Sequence, residues 1–391
     1  MKKYFTFLSV LFILAGQLTS CKPNVEDNTD DVKPVDDVKN YGTPYKLPRP
    51  AGFPNPLIPA DNPLTEEGIL LGRMLFYDNI LSGDSSMSCS TCHKQENAFA
   101  TNNAFEKGIH GKEGNRSTMP LFNLVWINYG FFWDGRAQTL EQQVVMPVED
   151  KLEMDLSWGE ALVRLQRHPK YPAQFKKAFG SEKVTKENAA KAMAQFLRTI
   201  VSVDSKFDMA ERLGLAGKEL TPSELRGMQI YLRDPKDKGM GEYISGGSCD
   251  HCHGNPNLFI LQPMDAATAY RNNGIDPAAT YSDFKDIGYA KVKPGLENFG
   301  KFKAPSLRNV ELTAPYMHDG RFKTLEEVID HYNNGGHASP TLDQEMASLK
   351  FKETEGKLQL SEQDKKDLIA FLKSLTDTKL TTTPAYSSPF K

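Results

Sequence analysis

Two pentapeptides concentrate the reactive side chains of this 391-residue chain: Cys89-Ser90-Thr91-Cys92-His93 and Cys249-Asp250-His251-Cys252-His253. Cys-x-x-Cys-His is the spacing of a c-type haem attachment site. Two thiols three residues apart on one helical turn can each add to a haem vinyl group, and the next residue then points at the iron as an axial ligand. The alternative is a zinc site built from the paired thiols. It leaves the two following histidines, His93 and His253, without a purpose. Two covalently bound haems are therefore expected.

Cysteine usage agrees with this. The chain has five cysteines; four sit in the motifs and the fifth is Cys21, so no pair is left for a structural disulfide. The N-terminus reads as an export signal. Lys2 and Lys3 precede an apolar stretch over residues 4–16 that is too short to span a bilayer. Leu18-Thr19-Ser20-Cys21 resembles a bacterial lipobox, which implies cleavage before Cys21 and acylation of that residue. The expected location is the cell envelope or periplasm, with membrane contact only through the lipid anchor. Ordinary cleavage with Cys21 as a free thiol is the alternative. Residues 22–50 are polar, acidic and proline-containing, and read as a flexible tether. The remaining body is close to neutral, so nucleic acid is not an expected partner.

Positioning these groups requires a mainly helical body. Helical periodicity is strong over residues 66–77 and 186–203, and Thr221-Pro222-Ser223-Glu224 is a capping box with proline at the first helical position. The chain also repeats itself. Residues 133–142 match residues 318–327, each copy carries a Thr-x-x-Glu/Gln helix start, and each follows a Cys-x-x-Cys-His motif. In this register Pro147 and Tyr332 stand at equal distances after Trp133 and His318, so each could cover the open face of its own haem. The expected organisation is a signal over 1–21, the tether over 22–50, one haem domain over 51–205, a second over 206–378 and a tail over 379–391.

The motifs resemble those of the bacterial dihaem cytochrome c peroxidases, and within them the MauG-type branch. The match runs from about Leu64 to Leu375. It includes Leu71-Gly72-Arg73-Met74-Leu75-Phe76-Tyr77, Phe132-Trp133-Asp134-Gly135-Arg136, and the run from Lys303-Ala304-Pro305-Ser306-Leu307-Arg308-Asn309 to Tyr316-Met317-His318-Asp319-Gly320. The resemblance implies a mainly α fold of two class I cytochrome c-like haem domains related by duplication, with long irregular loops. It makes His93 the proximal ligand of a peroxide-reacting haem and His253 that of an electron-transfer haem, with Trp133 between them. Glu153 then matches the catalytic glutamate, Gln143 a distal glutamine and Pro147 a distal proline. Read without that register, Glu153 is a surface carboxylate in an acidic stretch with Glu149 and Asp150.

Three further positions follow from the resemblance. His110, in a glycine-rich loop, matches the histidine that caps the reactive haem in resting peroxidases; its other reading is a solvent-exposed loop residue. Tyr332 stands where typical peroxidases carry a methionine ligand to the second haem, which is the MauG-like pattern; His331 or a methionine elsewhere are the alternatives. A thioether favours reduced iron, whereas a phenolate favours ferric and higher states. A calcium site is implied at Ser117 with the carbonyls of Thr313 and Pro315, although Ser117 replaces a carboxamide ligand there.

The leading expectation is a peroxidase that reduces hydrogen peroxide to water with electrons from a small donor protein, a cytochrome c or a cupredoxin. The second is a MauG-like oxidase that modifies a protein side chain or small substrate by removing electrons at long range. The third is a non-catalytic dihaem electron carrier. Related peroxidases commonly form homodimers, so a homodimer is also in view.

Overall fold

The computed structural model describes residues 41–390, apart from 51, 235, 238–242, 245, 255–265 and 347–357. The expected signal, Cys21 and the first part of the tether lie outside the described residues. Twelve helices are described: α1 (Glu66–Tyr77), α2 (Cys89–Cys92), α3 (Leu140–Glu149), α4 (Trp158–Arg167), α5 (Tyr171–Phe179), α6 (Lys186–Thr199), α7 (Lys206–Arg212), α8 (Ala216–Glu219), α9 (Pro222–Leu232), α10 (Asp250–His253), α11 (Leu325–Asn333) and α12 (Glu362–Ser374). Among the described residues, strand is limited to two short antiparallel pairs, β1 (Lys236–Asp237) with β2 (Tyr243–Ile244), and β3 (Tyr270–Arg271) with β4 (Phe302–Lys303). None of the described helices is long and apolar enough to cross a membrane.

Each half is closed by a helix crossing at a glycine. The N-cap Thr65 starts α1 by accepting from the Gly68 N–H, and the helix buries Leu71, Leu75 and Phe76. It meets α6 so closely that a Cβ on Gly72 would lie 1.9 Å from the Ala192 carbonyl oxygen. In the second half, α9 meets α12 the same way: a Cβ on Gly227 would lie 2.0 Å from the Asp367 carbonyl oxygen. Only glycine lets two helix backbones approach to this distance.

Most buried apolar residues fall into a cluster running from Leu71 to Ile200, joined by Leu380, and a second from Phe207 to Leu375, with two smaller clusters beside them. The change between them comes at residues 200–207. Arg308, fully buried, grips Asp208 at the start of the second cluster with two bonds of 2.7 and 2.8 Å. From Tyr41 onward the chain is one compact unit.

The internal repeat has a structural counterpart. Phe131 N–H donates to the Ala137 carbonyl at 2.8 Å, and at the matching register Tyr316 N–H donates to the Phe322 carbonyl at 2.7 Å. Phe132 and Met317 both have positive φ, at 65° and 73°, as do Gly135 and Gly320. Thr139 and Thr324 then cap α3 and α11 by accepting from the N–H three residues on. Each copy is thus a tight loop that launches a helix.

Two expected boundaries are corrected. Residues 41–50, read as tether, lie against the body: Tyr45 N–H donates to the Leu64 carbonyl, Thr43 accepts from Glu66 N–H, and Leu47 is buried with Phe53, Leu64, Val125 and Trp126. The tail after residue 378 returns to the first half. Arg73 donates to the carbonyls of Ser387 and Pro384, each at 2.6 Å, and Tyr77 donates to the Tyr386 carbonyl at 2.6 Å.

Candidate haem and peroxide site

The two motifs adopt the same local geometry. Ser88 and Thr91 form a reciprocal cap that starts the single turn α2, so Cys89 and Cys92 lie one turn apart and His93 ends the turn. Cys249 precedes α10, which carries Cys252 and His253. His93 Nδ1 is 2.9 Å from the Phe99 carbonyl oxygen, and His253 Nδ1 is 2.9 Å from that of Pro305. A carbonyl can only accept, so Nδ1 carries the proton in both rings. That makes Nε2 the nitrogen that would meet a metal in both rings, with ring orientation fixed from behind, and a Met119 backbone hydrogen bond also acts on the His93 ring.

The thiols do not form a zinc site. Burial among apolar side chains pushes each of the four thiols up to about 12. Cys89 packs on the first apolar cluster and Cys249 on the second. Among the described residues, no three His, Cys, Asp or Glu side chains converge on a point that could hold a metal ion.

A cavity of about 480 Å³ opens over Cys89, Cys92 and His93, and its wall also includes Trp133, Gln143, Pro147, Glu153 and Lys303. Apolar side chains such as Phe76, Leu121 and Phe122 line much of the rest. An apolar slot with an imidazole nitrogen and two thiols on one wall fits a covalently attached haem. Gln143 adds a second sign: its buried amide oxygen has no hydrogen-bond partner in the protein.

Glu153 is carried by the turn that follows α3. Its N–H donates to the Asp150 carbonyl at 3.0 Å, its carbonyl accepts from Ile109 N–H at 3.0 Å, and Met154 N–H donates to Pro147. Gly108 allows the 108–111 loop to press on this turn, because a Cβ there would lie 2.2 Å from the Leu152 carbonyl oxygen. Burial, with the nearby Asp150 charge, raises the Glu153 carboxyl to about 7, and Arg136 opposes the shift. The carboxyl can therefore exchange a proton near neutrality. The surface reading of Glu153 does not fit a group in the cavity wall.

His110 is elsewhere. Its ring is half exposed and bonds Asp155 Oδ2 through Nε2 at 2.7 Å. It is not among the residues lining the cavity. This arrangement gives the resting-ligand expectation no support.

Trp133 joins the halves. Its indole N–H donates to the Ser117 carbonyl at 2.9 Å, and its own carbonyl accepts from Lys303 N–H at 2.8 Å. Ser117 in turn donates its N–H to His318 and its hydroxyl to the Met317 carbonyl, both at 2.7 Å. Beneath this junction Arg116 pairs with Asp134 and, through two bonds, with Asp286; these contacts hold both carboxyls below the usual range despite burial.

The calcium expectation gains no support here. Ser117 spends its hydroxyl on Met317, the set Ser117, Thr313 and Pro315 contains no carboxylate, and the Arg116 guanidinium is adjacent in sequence. These residues offer only neutral oxygens to a dication that usually has carboxylates among its ligands.

At the second motif, Tyr332 on α11 interacts with the thiols of Cys252 and Cys249. Burial and these thiols push its phenol up to about 12, against a hydrogen bond from Asn273. That amide lies 3.2 Å from the Tyr332 oxygen and 3.3 Å from the Met317 sulfur. His331 Nε2 is instead 2.9 Å from the Asn273 carbonyl oxygen, so its ring is engaged away from the thiols. Arg271, whose charge interacts with Cys252, has a buried Nε with no hydrogen-bond partner. Asn273 and Arg271 carry no motif and were missed by sequence reasoning. Met317 and Lys303 were seen only as part of a matching run.

Comparison with known proteins agrees with this geometry. The family model for the di-haem cytochrome c peroxidases matches residues 66–213. Methylamine utilization protein MauG of Methylorubrum extorquens is 32% identical over 330 residues, which cover 84% of this chain and 82% of that protein. Cytochrome-c peroxidase IdrP1 of a Pseudomonas species is 29% identical over 344 residues, covering 83% and 85%. A crystal structure of a MauG-like protein associated with microbial copper homeostasis superposes with a TM-score of 0.74 at 34% identity, covering 89% of this chain and all of that one. The chain belongs to the dihaem cytochrome c peroxidase and MauG family.

Proposed function

We propose that this chain is a peroxidase that reduces hydrogen peroxide to water, using two protons and two electrons, with a small cytochrome c or cupredoxin as donor. The observation that carries the reading is Glu153, a carboxyl raised to about 7 in the wall of the cavity that holds His93. Cys89, Cys92 and His93 would hold the first haem, and Cys249, Cys252, His253 and Tyr332 the second. Haem, when bound, supplies the iron and the redox capacity.

The chain's own residues do the rest. Glu153 takes the proton from the inner peroxide oxygen and gives it to the outer one, which leaves as water. Gln143 orients the peroxide by hydrogen bonding. Pro147 offers no donor or ligand, so that face stays open. Trp133 lies on the route between the two sites. An exported, Cys21-anchored protein in the envelope fits this role, and a homodimer is compatible with it.

The MauG-like reading has its own support in Tyr332, whose phenol favours oxidised iron over ready electron supply. The two separate by experiment. The holoprotein with peroxide and a reduced small cytochrome c should consume both in a 1:2 ratio over many turnovers. A protein that binds peroxide yet oxidises no donor would be an oxidase of the second kind. One that never reacts with peroxide or cyanide would be an electron carrier.

A further inference from the structure

Lys303 is a buried cation with no ion-pair partner among the described residues. It is the last residue of β4, and its backbone is held on both sides, by Tyr270 across the strand pair and by the Trp133 carbonyl at 2.8 Å. The residue is 7% exposed. Its ammonium group has three donors. One reaches the Gly130 carbonyl at 3.2 Å, and the Phe131 ring lies 5.7 Å away. The carboxylate that acts on it most is Asp134, which is already bound by Arg116 at 2.7 Å and Arg136 at 3.2 Å.

A charge buried this way is costly unless something pairs with it. Burial lowers the amine to about 7. The remaining space around it is the cavity of the first motif, which Lys303 lines together with Trp133 and Ala304. The other buried cation there, Arg116, is fully engaged by Asp134 and Asp286. A haem is apolar except for its two propionate carboxylates. The cavity therefore has one spare buried cation, and its expected occupant brings carboxylates that need one.

We propose that Lys303 binds a propionate carboxylate of the haem held at Cys89 and Cys92, an inference that rests on the haem reading above. The contact makes the segment 303–305 common to both sites. The Lys303 side chain addresses the first haem, and two residues later the Pro305 carbonyl orients His253 at the second. Because the Lys303 N–H also holds Trp133, haem position and the inter-site route share one strand. The positive charge stabilises the reduced form of the first haem.

The test compares two-haem holoproteins of wild type, Lys303→Met and Lys303→Arg. Haem content is measured first, then the midpoint potential of the cyanide-responsive haem and its propionate bending modes by resonance Raman. Lys303→Met should shift that haem's reduction equilibrium at least tenfold toward the oxidised form, 59 mV for one electron, and move a propionate mode. Lys303→Arg should stay within threefold of wild type. If the methionine variant fails to mature, Lys303→Gln is measured in the same way. Unchanged potential and propionate modes in the charge-removing variant overturn the proposal while leaving the haem reading intact. A wild-type protein without covalent haem overturns both.

Discussion

The Trp133 indole N–H donates to the Ser117 carbonyl at 2.9 Å, and the same Ser117 residue bonds Met317 and His318 from the second repeat. One serine thus ties the Trp133 ring, in the wall of the first cavity, to the second repeat. Trp133→Phe keeps the aromatic surface and removes the donor. It should slow reduction of the first haem by the second roughly tenfold or more, as a modest misplacement of a reacting group does, with both haems retained. Stopped-flow reduction by a limiting donor measures it. A wild-type rate would remove Trp133 from the route.

The glycine crossings give a stability prediction for each half. Gly72→Ala and Gly227→Ala force a Cβ into a backbone carbonyl at 1.9 and 2.0 Å. Each should cost about 1–3 kcal/mol in urea unfolding, as overpacking does. Gly217→Ala is the control: it lies in α8 with nothing within 4 Å of the added Cβ, and should be neutral or slightly stabilising.

Arg308 and Asp208 form a buried pair. Arg308→Met leaves Asp208 buried and stripped of its cation, and should destabilise by about 3–5 kcal/mol. Arg308→Met combined with Asp208→Leu should recover part of that loss. Chemical denaturation of the two variants checks both statements.

Tyr332→Met exchanges a phenol for a thioether beside the second motif. The second haem's midpoint potential should rise, because a thioether favours reduced iron. Spectroelectrochemical titration reads the change. An unchanged potential would take Tyr332 out of the iron's coordination.

The chemistry was far more legible than its supports. Both Cys-x-x-Cys-His turns, the repeat at 133–142 and 318–327, and the matching positions of Pro147 and Tyr332 after it depend on short-range spacing, which survives as pattern, whereas Glu153 was reached only through the family resemblance. The φ angles of Phe132 and Met317 lie within 8° of each other because the same Asp-Gly-Arg run, at 134–136 and 319–321, closes the same turn. What stayed hidden depends on contacts between distant positions. The donor to Tyr332 is Asn273, 59 residues away. The approach of Gly72 to Ala192 is visible only when α1 and α6 are placed together. The tail reads as polar and irregular, yet its backbone carbonyls satisfy Arg73 and Tyr77 more than 300 residues earlier. His110 had the right residue type in a mobile-looking loop, but Asp155 is a nearer partner for its ring.

In the proposed reaction Glu153 moves the proton that lets the peroxide bond break. The most direct measurement is kcat/KM for hydrogen peroxide across pH, for wild type and Glu153→Gln holoproteins. Burial raises the Glu153 carboxyl, so below about pH 7 it is already protonated and cannot accept the peroxide proton. Wild-type kcat/KM should therefore climb tenfold per pH unit up to about 7 and then level. Glu153→Gln should be lower by about 10²–10⁴-fold and lack that rise, with both haems present. A glutamine variant with wild-type turnover and the same pH profile would contradict the account.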